Sequence, residues 1–536
     1  MKMKRILGMV LAGAFLAGAL AACTPTTPQE PTPPPAQTTA PATTAPAEIP
    51  PTPVAPPPEV EIARGVNVAT QNDPPSVAPA RHTAVAGGYM NALTHNGLFR
   101  IDHATLEPVA DLVAEWRAIS DTLFEFTLHE GIMFHNGEEM TAYDVVASMH
   151  YVRTLPYARA SHGSVVDAEV VDRYTFILDT GEPNAMLFFD LSLQGNFIMP
   201  AALIESGHDF NTNPVGSGPF VFQDWQLNES LEFVRFDNYF DEARAARVEY
   251  VNWRIIPEGS SRTIALETGE VDYVVEVATA DIRRIQDHPD LDIIMIAGTA
   301  HNFLLLNNEH PPFDNVYVRR AIHMALDKDS MVMAGLDGFA IPTWANMPTM
   351  FAGASYEGTR SFDPAAAAAL LAEHGIDPTT IEFEILASNE VARRMGEVVQ
   401  ANLADLGITV SISMIDLAGW LTVTASPDYE AAFGSFTASN ILTFFRSTSH
   451  IASINGPNRS RMQNQELTDL IDQAIATIDA DARIAILEEA SRMANEHVGF
   501  IPNYLSMVTR AFNANLAVPE VHATGALNFN MVYWVE

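Results

Sequence analysis

Residues 24–59 hold 14 Pro, 9 Thr and 6 Ala among 36 positions and no aromatic side chain. A segment of that composition buries too little apolar surface to offset the entropy of ordering it. It is therefore expected to stay extended and solvated, reaching up to ~110 Å at ~3.1 Å per residue in polyproline geometry. Everything that folds must come after it. The stretch from about Glu59 to Glu536 exceeds the ~250–300 residues at which one hydrophobic core stops growing. At least two lobes are expected.

The residues before this tether predict export. Lys2, Lys4 and Arg5 precede an apolar run from Ile6 to Ala22, short for a membrane span and suited to a cleaved signal. Cys23 follows, the single cysteine of the chain. Leu20-Ala21-Ala22-Cys23 resembles the lipobox of bacterial lipoproteins, which makes Cys23 the expected lipidation site and 1–22 the expected signal peptide. The chain is then placed on the outer face of the cell membrane, or in a periplasm. A lone cysteine excludes an intramolecular disulfide and a cysteine-rich metal site. No later segment is apolar over 18 residues, so the remainder is expected to be soluble.

The chain carries a formal charge of −37. Removing the three leader cations leaves 26 against 66 acids, or −40. Such a surface repels polyanions, so nucleic acid is not an expected partner. Lys328 is the one lysine beyond the leader, and arginine carries nearly all the positive charge.

Helix and strand patterns interleave along the folded stretch. In 362–376, Asp363 is placed to cap a helix, Pro364 suits its first turn and Gly375 its left-handed exit. Met395, Val398, Val399, Leu403 and Leu406 recur at helical spacing before Gly407. Thr409 to Ile415 alternates as a half-buried strand does. Thr141 and Asp144 form a capping-box pattern ahead of Val145, Val146 and Met149. The fold class is α/β.

The sequence carries none of the familiar catalytic or metal-binding motifs. His129-Glu130 followed by His135 lacks zincin spacing, and no His-x-His pair occurs. Gly216-Ser217-Gly218 has neither nucleophile-elbow nor dinucleotide-loop spacing, and no Walker loop is present. No catalytic residue, metal site or cofactor is expected.

A series of motifs is more telling. Pro108 through Trp116 is followed by the strand Phe124 to Leu128 and by GIMFHNGEEMTAYDVV (131–146). PVGSGPF (214–220), DNYF (237–240), RIIPEGSSRTIALETGEVDYV (254–274) and PPFDNVYVRRAIHMALDKDSMV (311–332) come later. The helix at 362–376, ANLADLGITVSISMI (401–415) and IPNYLSMVTRAFN (501–513) complete the order. Read together, these resemble the extracellular solute-binding proteins of family 5, the dipeptide, oligopeptide and nickel binders of ABC importers. Gly131, Gly137 and Gly218 are expected to supply backbone conformations closed to other residues. His135 and Asn136 are expected to hydrogen-bond the turn before the helix that Thr141 caps.

The resemblance implies a periplasmic-binding-protein-like clamp of type II, with an extra subdomain in lobe I. Lobe I would be 60–302 with 504–536 and lobe II 303–503, after the signal (1–22) and the lipidated Cys23 with its tether (23–59). A monomer would trap a small solute between the lobes and deliver it to permease subunits in the membrane. Arg81, His82, His301, Trp344, Asn346, Phe436, Thr437 and Asn440 are the candidate ligand contacts. Peptide is the first expected solute, from family frequency. Two departures bear on it. Dipeptide-binding relatives carry an aspartate for the peptide's amine where Phe436 to Leu442 has no carboxylate, and an arginine for its carboxylate where Leu386 to Asn389 has none. A nickel or metal-chelate receptor, resting on His82 and His301, is the alternative on the same fold. A secreted hydrolase or surface sensor is the alternative of another class.

Overall fold

The computed structural model describes residues 64–81, 85–155 and 164–535. The leader, Cys23, the tether and His82 lie outside the described residues. No helix among those described is long and apolar enough to cross a membrane.

Local signals in the sequence became the expected elements. Asp363 accepts the Ala366 N–H ahead of the helix Pro364–Glu373, and Gly375 exits at φ +65°. Asn389 caps Glu390–Ala404, which buries Met395, Val399 and Leu403, and Gly407 stops it at φ +88°. Asp144 accepts from both the amide and the hydroxyl of Thr141, fixing the start of Ala142–Val152. The strand Thr409–Met414 follows the predicted alternation as far as Ile412, but Met414 is exposed.

Two long strands organise the molecule. Leu291–Leu306 and Phe500–Asn513 pair antiparallel over most of their length, from Leu291 opposite Asn513 to Leu305 opposite Phe500. They sit at the centre of an 11-stranded sheet. On one side Leu291–Leu306 pairs with Ala431–Thr437, which leads to Glu382–Ala387 and Thr409–Met414. On the other side Phe500–Asn513 pairs with Tyr273–Val274, which leads through Val66–Thr70 to Tyr250–Ile255. The chain passes between two halves through this one pair of strands. A separate four-stranded antiparallel sheet, 113–118, 123–128, 175–179 and 167–170, belongs to the first half. It is where the extra subdomain was expected.

Alternation along the first crossing strand explains how its second-half end is held. Phe303 and Leu305 enter one core with Phe444, Phe500 and Trp420. Leu304 and Leu306 enter another with Phe313, Ile322 and Phe383. A strand buried on both faces must be apolar at every position, as this run is. The first of these cores also takes in Leu106, Ala185 and Met186 from the first half, and the Ala185 N–H donates to the Ile475 carbonyl at 2.7 Å. The two halves therefore touch away from the crossing strands as well.

Gly131 and Gly137 adopt φ +76° and +85°, as the sequence predicted. Gly218 differs: its φ is not positive, and what demands glycine there is close approach. Its N–H donates to the Thr94 carbonyl at 2.9 Å. A Cβ would lie 2.4–2.5 Å from the Thr94 carbon, the His95 nitrogen and the Leu93 oxygen. His135 completes the join, its N–H donating to the Gly216 carbonyl at 2.8 Å and its Nε2 bonding the Gly218 carbonyl at 2.9 Å. His135 thus reaches the 216–218 turn, whereas the expected turn is served by Asn136, which bonds Glu138 through amide and side chain. Because the atoms facing Gly218 are backbone, Gly218→Ala is expected to cost about 1–3 kcal/mol, the usual range for overpacking. Urea denaturation measures it; an unchanged midpoint would show that the turn can retreat.

Candidate functional site

A cavity of about 1500 Å³ lies between the halves. The first half supplies the turn after the helix Val85–Thr94 (His95, Asn96, Gly97), the strand Phe99–Ile101 with Arg100, and the segment 186–197. The second half supplies the end of the strand Ala431–Thr437 and one side of the helix Ile441–Thr448, followed by 452–457. Residues 520–531, beyond the second crossing strand, close one flank.

The Gly216–Gly218 join places the first wall. By pinning the end of the helix Val85–Thr94, it fixes His95 and Asn96 at the cavity. His95 bonds Thr94 Oγ1 through Nδ1, and burial with the neighbouring His135 pushes it down to about 3, so it is neutral. The Asn96 amide donates to Asp111 Oδ2 at 2.9 Å and to Tyr239 Oη at 3.1 Å. Arg244 donates to Asp111 and to Asp241. This network is closed on itself. It makes a rigid polar wall.

Phe436 and Thr437 are the two sequence candidates that line the cavity. Phe436 is half-buried, with its ring centre 6.1 Å from that of Phe444, and Thr437 is exposed. Asn440 sits just behind the wall: its Oδ1 caps the helix Ile441–Thr448 by accepting the Thr443 N–H at 2.8 Å. The other described candidates lie elsewhere. Arg81 donates to Tyr151 Oη at 2.9 Å. His301 is fully buried, its Nε2 bonded to the Ala345 carbonyl and its ring set against Phe444 and Phe500. Burial pushes it down to about 3, which makes it a neutral core histidine. The Asn346 amide donates to the Phe500 carbonyl, and Trp344 packs near Lys328, whose Nζ is 5.3 Å from its ring centre. Asn346 and Trp344 lie in the second half, and His301, on the first crossing strand, packs its ring into that half's core against Phe444 and Phe500. Among the described residues no group of three or more His, Cys, Asp or Glu converges as metal ligands.

Arg100, His103, Asp190 and Arg446 line the cavity and carried no mark in the sequence. Arg446 stands six residues after Asn440, on the helix that residue caps, and helical spacing was the one available clue. Asp190 is buried and accepts the Ser164 hydroxyl. Burial raises its carboxyl to about 6, against the opposing pulls of that bond and of Arg446.

Asp190 generates a pH prediction. Its native pKa lies above the ~3.9 of an unfolded aspartate, so the native state holds the proton more tightly. The resulting stabilisation is present in full below the unfolded value and is lost as pH rises through about 6. Asp190→Asn keeps an acceptor for Ser164. It is expected to exceed the parent in stability by roughly 2–3 kcal/mol above about pH 7, with the gap closing toward about pH 4. Denaturant unfolding across that range checks it, and a gap independent of pH would refute burial as its cause.

Comparison with known proteins agrees with this geometry. The family model described as bacterial extracellular solute-binding proteins, family 5 Middle, matches residues 107–450. The glutathione-binding protein of Salmonella paratyphi A is 24% identical over 481 residues, covering 85% of this chain and 91% of the relative. The dipeptide-binding protein of Escherichia coli is 25% identical over 437 residues, covering 74% and 80%. The solved structure of HbpA2 from Haemophilus parasuis superposes with a TM-score of 0.80 at 22% identity, covering 88% of this chain and all of that one.

Proposed function

The chain belongs to the bacterial extracellular solute-binding proteins of family 5, and from that premise we propose that it is the substrate receptor of an ABC importer, with a peptide as its solute. The observation that carries this reading is the cavity of about 1500 Å³ walled by both halves. It exceeds the ~300–1,000 Å³ usual for small-molecule sites, which suits an oligopeptide in extended form. The names of the glutathione-binding and dipeptide-binding relatives point the same way. The family is one of binding proteins, and the reading assigns no catalytic step.

The lobes of this receptor are 60–302 with 504–536, and 303–503. A solute touching both stabilises the closed state over the open one, since the open state lacks half of its contacts. The bond between Ala185 and Ile475 and the apolar contact of Met186 with the second half are the parts of the closed state that opening would break. Phe436 and Thr437 face the solute, with Asn440 holding the helix beside them. Lipidated Cys23 and the tether keep the receptor near its permease and raise its effective concentration there. It acts as a monomer.

Mass spectrometry of material copurifying with the protein, followed by thermal melting against the identified solute, tests the reading. The melting temperature is expected to rise with solute concentration, by the linkage of binding to folding. Phe436→Ala is expected to weaken binding about tenfold, ~1.4 kcal/mol, with little change in the ligand-free melting temperature. A chain that binds no peptide at millimolar concentration would overturn the reading.

A further inference from the structure

The acids of the cavity wall are all engaged. Asp102 Oδ1 accepts from the amides of Ala104 and Thr105 and from the Thr105 hydroxyl. Asp111 is held by Arg244 and Asn96, and Asp190 by Ser164. Glu520 accepts from the Asn528 amide at 2.9 Å and lies 3.7 Å from His103 Nδ1.

Two guanidinium groups on the same wall are in the opposite condition. Arg100, on the strand Phe99–Ile101 of the first half, and Arg446, on the helix Ile441–Thr448 of the second, both line the cavity. Among the described residues neither forms a side-chain hydrogen bond or an ion pair within contact distance, although the charge of Arg446 acts on the Asp190 carboxyl. For Arg446 that freedom is unremarked, since its side chain is exposed. For Arg100 it is not, because the Nε–H is buried without an acceptor. A buried charged donor left unpaired is costly.

We infer that Arg100 and Arg446 form an anion-receiving subsite split between the halves, so that the solute carries an acidic group, a carboxylate or a phosphate. This rests on the receptor reading and narrows its solute. An acid placed between the two closes the cleft by joining one charge from each half. A solute presenting an amine at this point would meet two cations. Guanidinium suits the task because its planar donors match a carboxylate or phosphate in paired hydrogen bonds.

Calorimetric titration tests the subsite. The probes are tripeptides with a free C-terminal carboxylate, their C-terminal amides, phosphoserine-containing amides, citrate and glucose 6-phosphate. They are titrated into the full-length parent, Arg100→Gln, Arg446→Gln, the double variant and Arg446→Glu. The expected result is at least roughly tenfold tighter binding of an acid than of its amide, with the preference lost in the double variant and reversed by Arg446→Glu. Circular dichroism and melting confirm that Arg100→Gln folds, and Arg446 is exposed enough for its variants to serve alone if it does not. Free-acid peptides favoured over phosphates would name the carboxylate, and the reverse would name the phosphate. Amides binding as well as acids, or a preference surviving in the double variant, would overturn the subsite and leave the receptor intact. Binding confined to citrate or glucose 6-phosphate, and lost without the arginines, would keep the subsite and overturn the peptide. Absence of binding by every probe would overturn both.

Discussion

The antiparallel pairing of Leu291–Leu306 with Phe500–Asn513 is the constraint on which the remaining architecture depends. It is the covalent passage between the halves and the middle of the shared sheet. Its pairing is broken by register shifts between Ala297 and His301 and between Asn302 and Phe303. At the first shift the Thr299 N–H leaves the ladder and donates to the Ala523 carbonyl. At the second, the Asn302 amide reaches Ser506 Oγ at 2.8 Å. An irregularity in an otherwise continuous ladder concentrates bending at one place. Here that place adjoins the segment 520–531 that flanks the cavity, through the Thr299 N–H bond to the Ala523 carbonyl.

Buried cations in this acidic chain are held mainly by peptide carbonyls rather than by carboxylates. Arg319 donates to the carbonyls of Phe313, Val498 and His497, closing the end of the helix Ala480–His497. Arg262 does the same for Ile256, Pro257 and Glu276, and Arg510 for Val275, Thr509 and Gly525. Lys328 bonds the Thr343 carbonyl and His323 Nε2, and burial drives both of these side chains well below their usual pKa values. A guanidinium with several fixed donors joins three carbonyls at once, which a carboxylate cannot do. Arg510 joins the second crossing strand to the loop containing Gly525, so the same device that fixes the core also holds the cavity's flank.

What could be read in the sequence divides along physical lines. Caps and stops came through because Asp363, Asn389 and Gly407 act on the backbone within a few residues. The fold came through because motifs such as 131–146 and 214–220 hold elements together by close approach, as His135 and Gly218 do. The cavity was legible in part. Phe436 and Thr437 lie at the end of a strand that pairs with the crossing strand, and loops at strand ends were the places to look. His301 lay on the expected crossover, but alternation turns its ring into the core toward Phe444 and Phe500. Whether a strand residue faces a cleft or a core is decided by register against its neighbours, and register is long-range. Arg100 was missed for a related reason: the part of the wall facing it from the second half, 436–457, is more than 300 positions away in the chain.

The acidity of the chain bears on an anion site in a way that net charge alone misstates. With 66 acids against 29 cations, the distant field opposes an approaching anion. Salt screens exposed charges beyond about 8–10 Å at physiological ionic strength, so most of that surface is not felt inside the cleft. What remains are the groups on the wall, where the acids are already bonded and Arg100 and Arg446 are not. Closure strengthens the local pair further, because a cleft that sheds water has a lower effective dielectric than the surface outside it. The charge that a solute meets at any one point of the wall is then set by the side chains nearest to it, which for the proposed acid are Arg100 and Arg446.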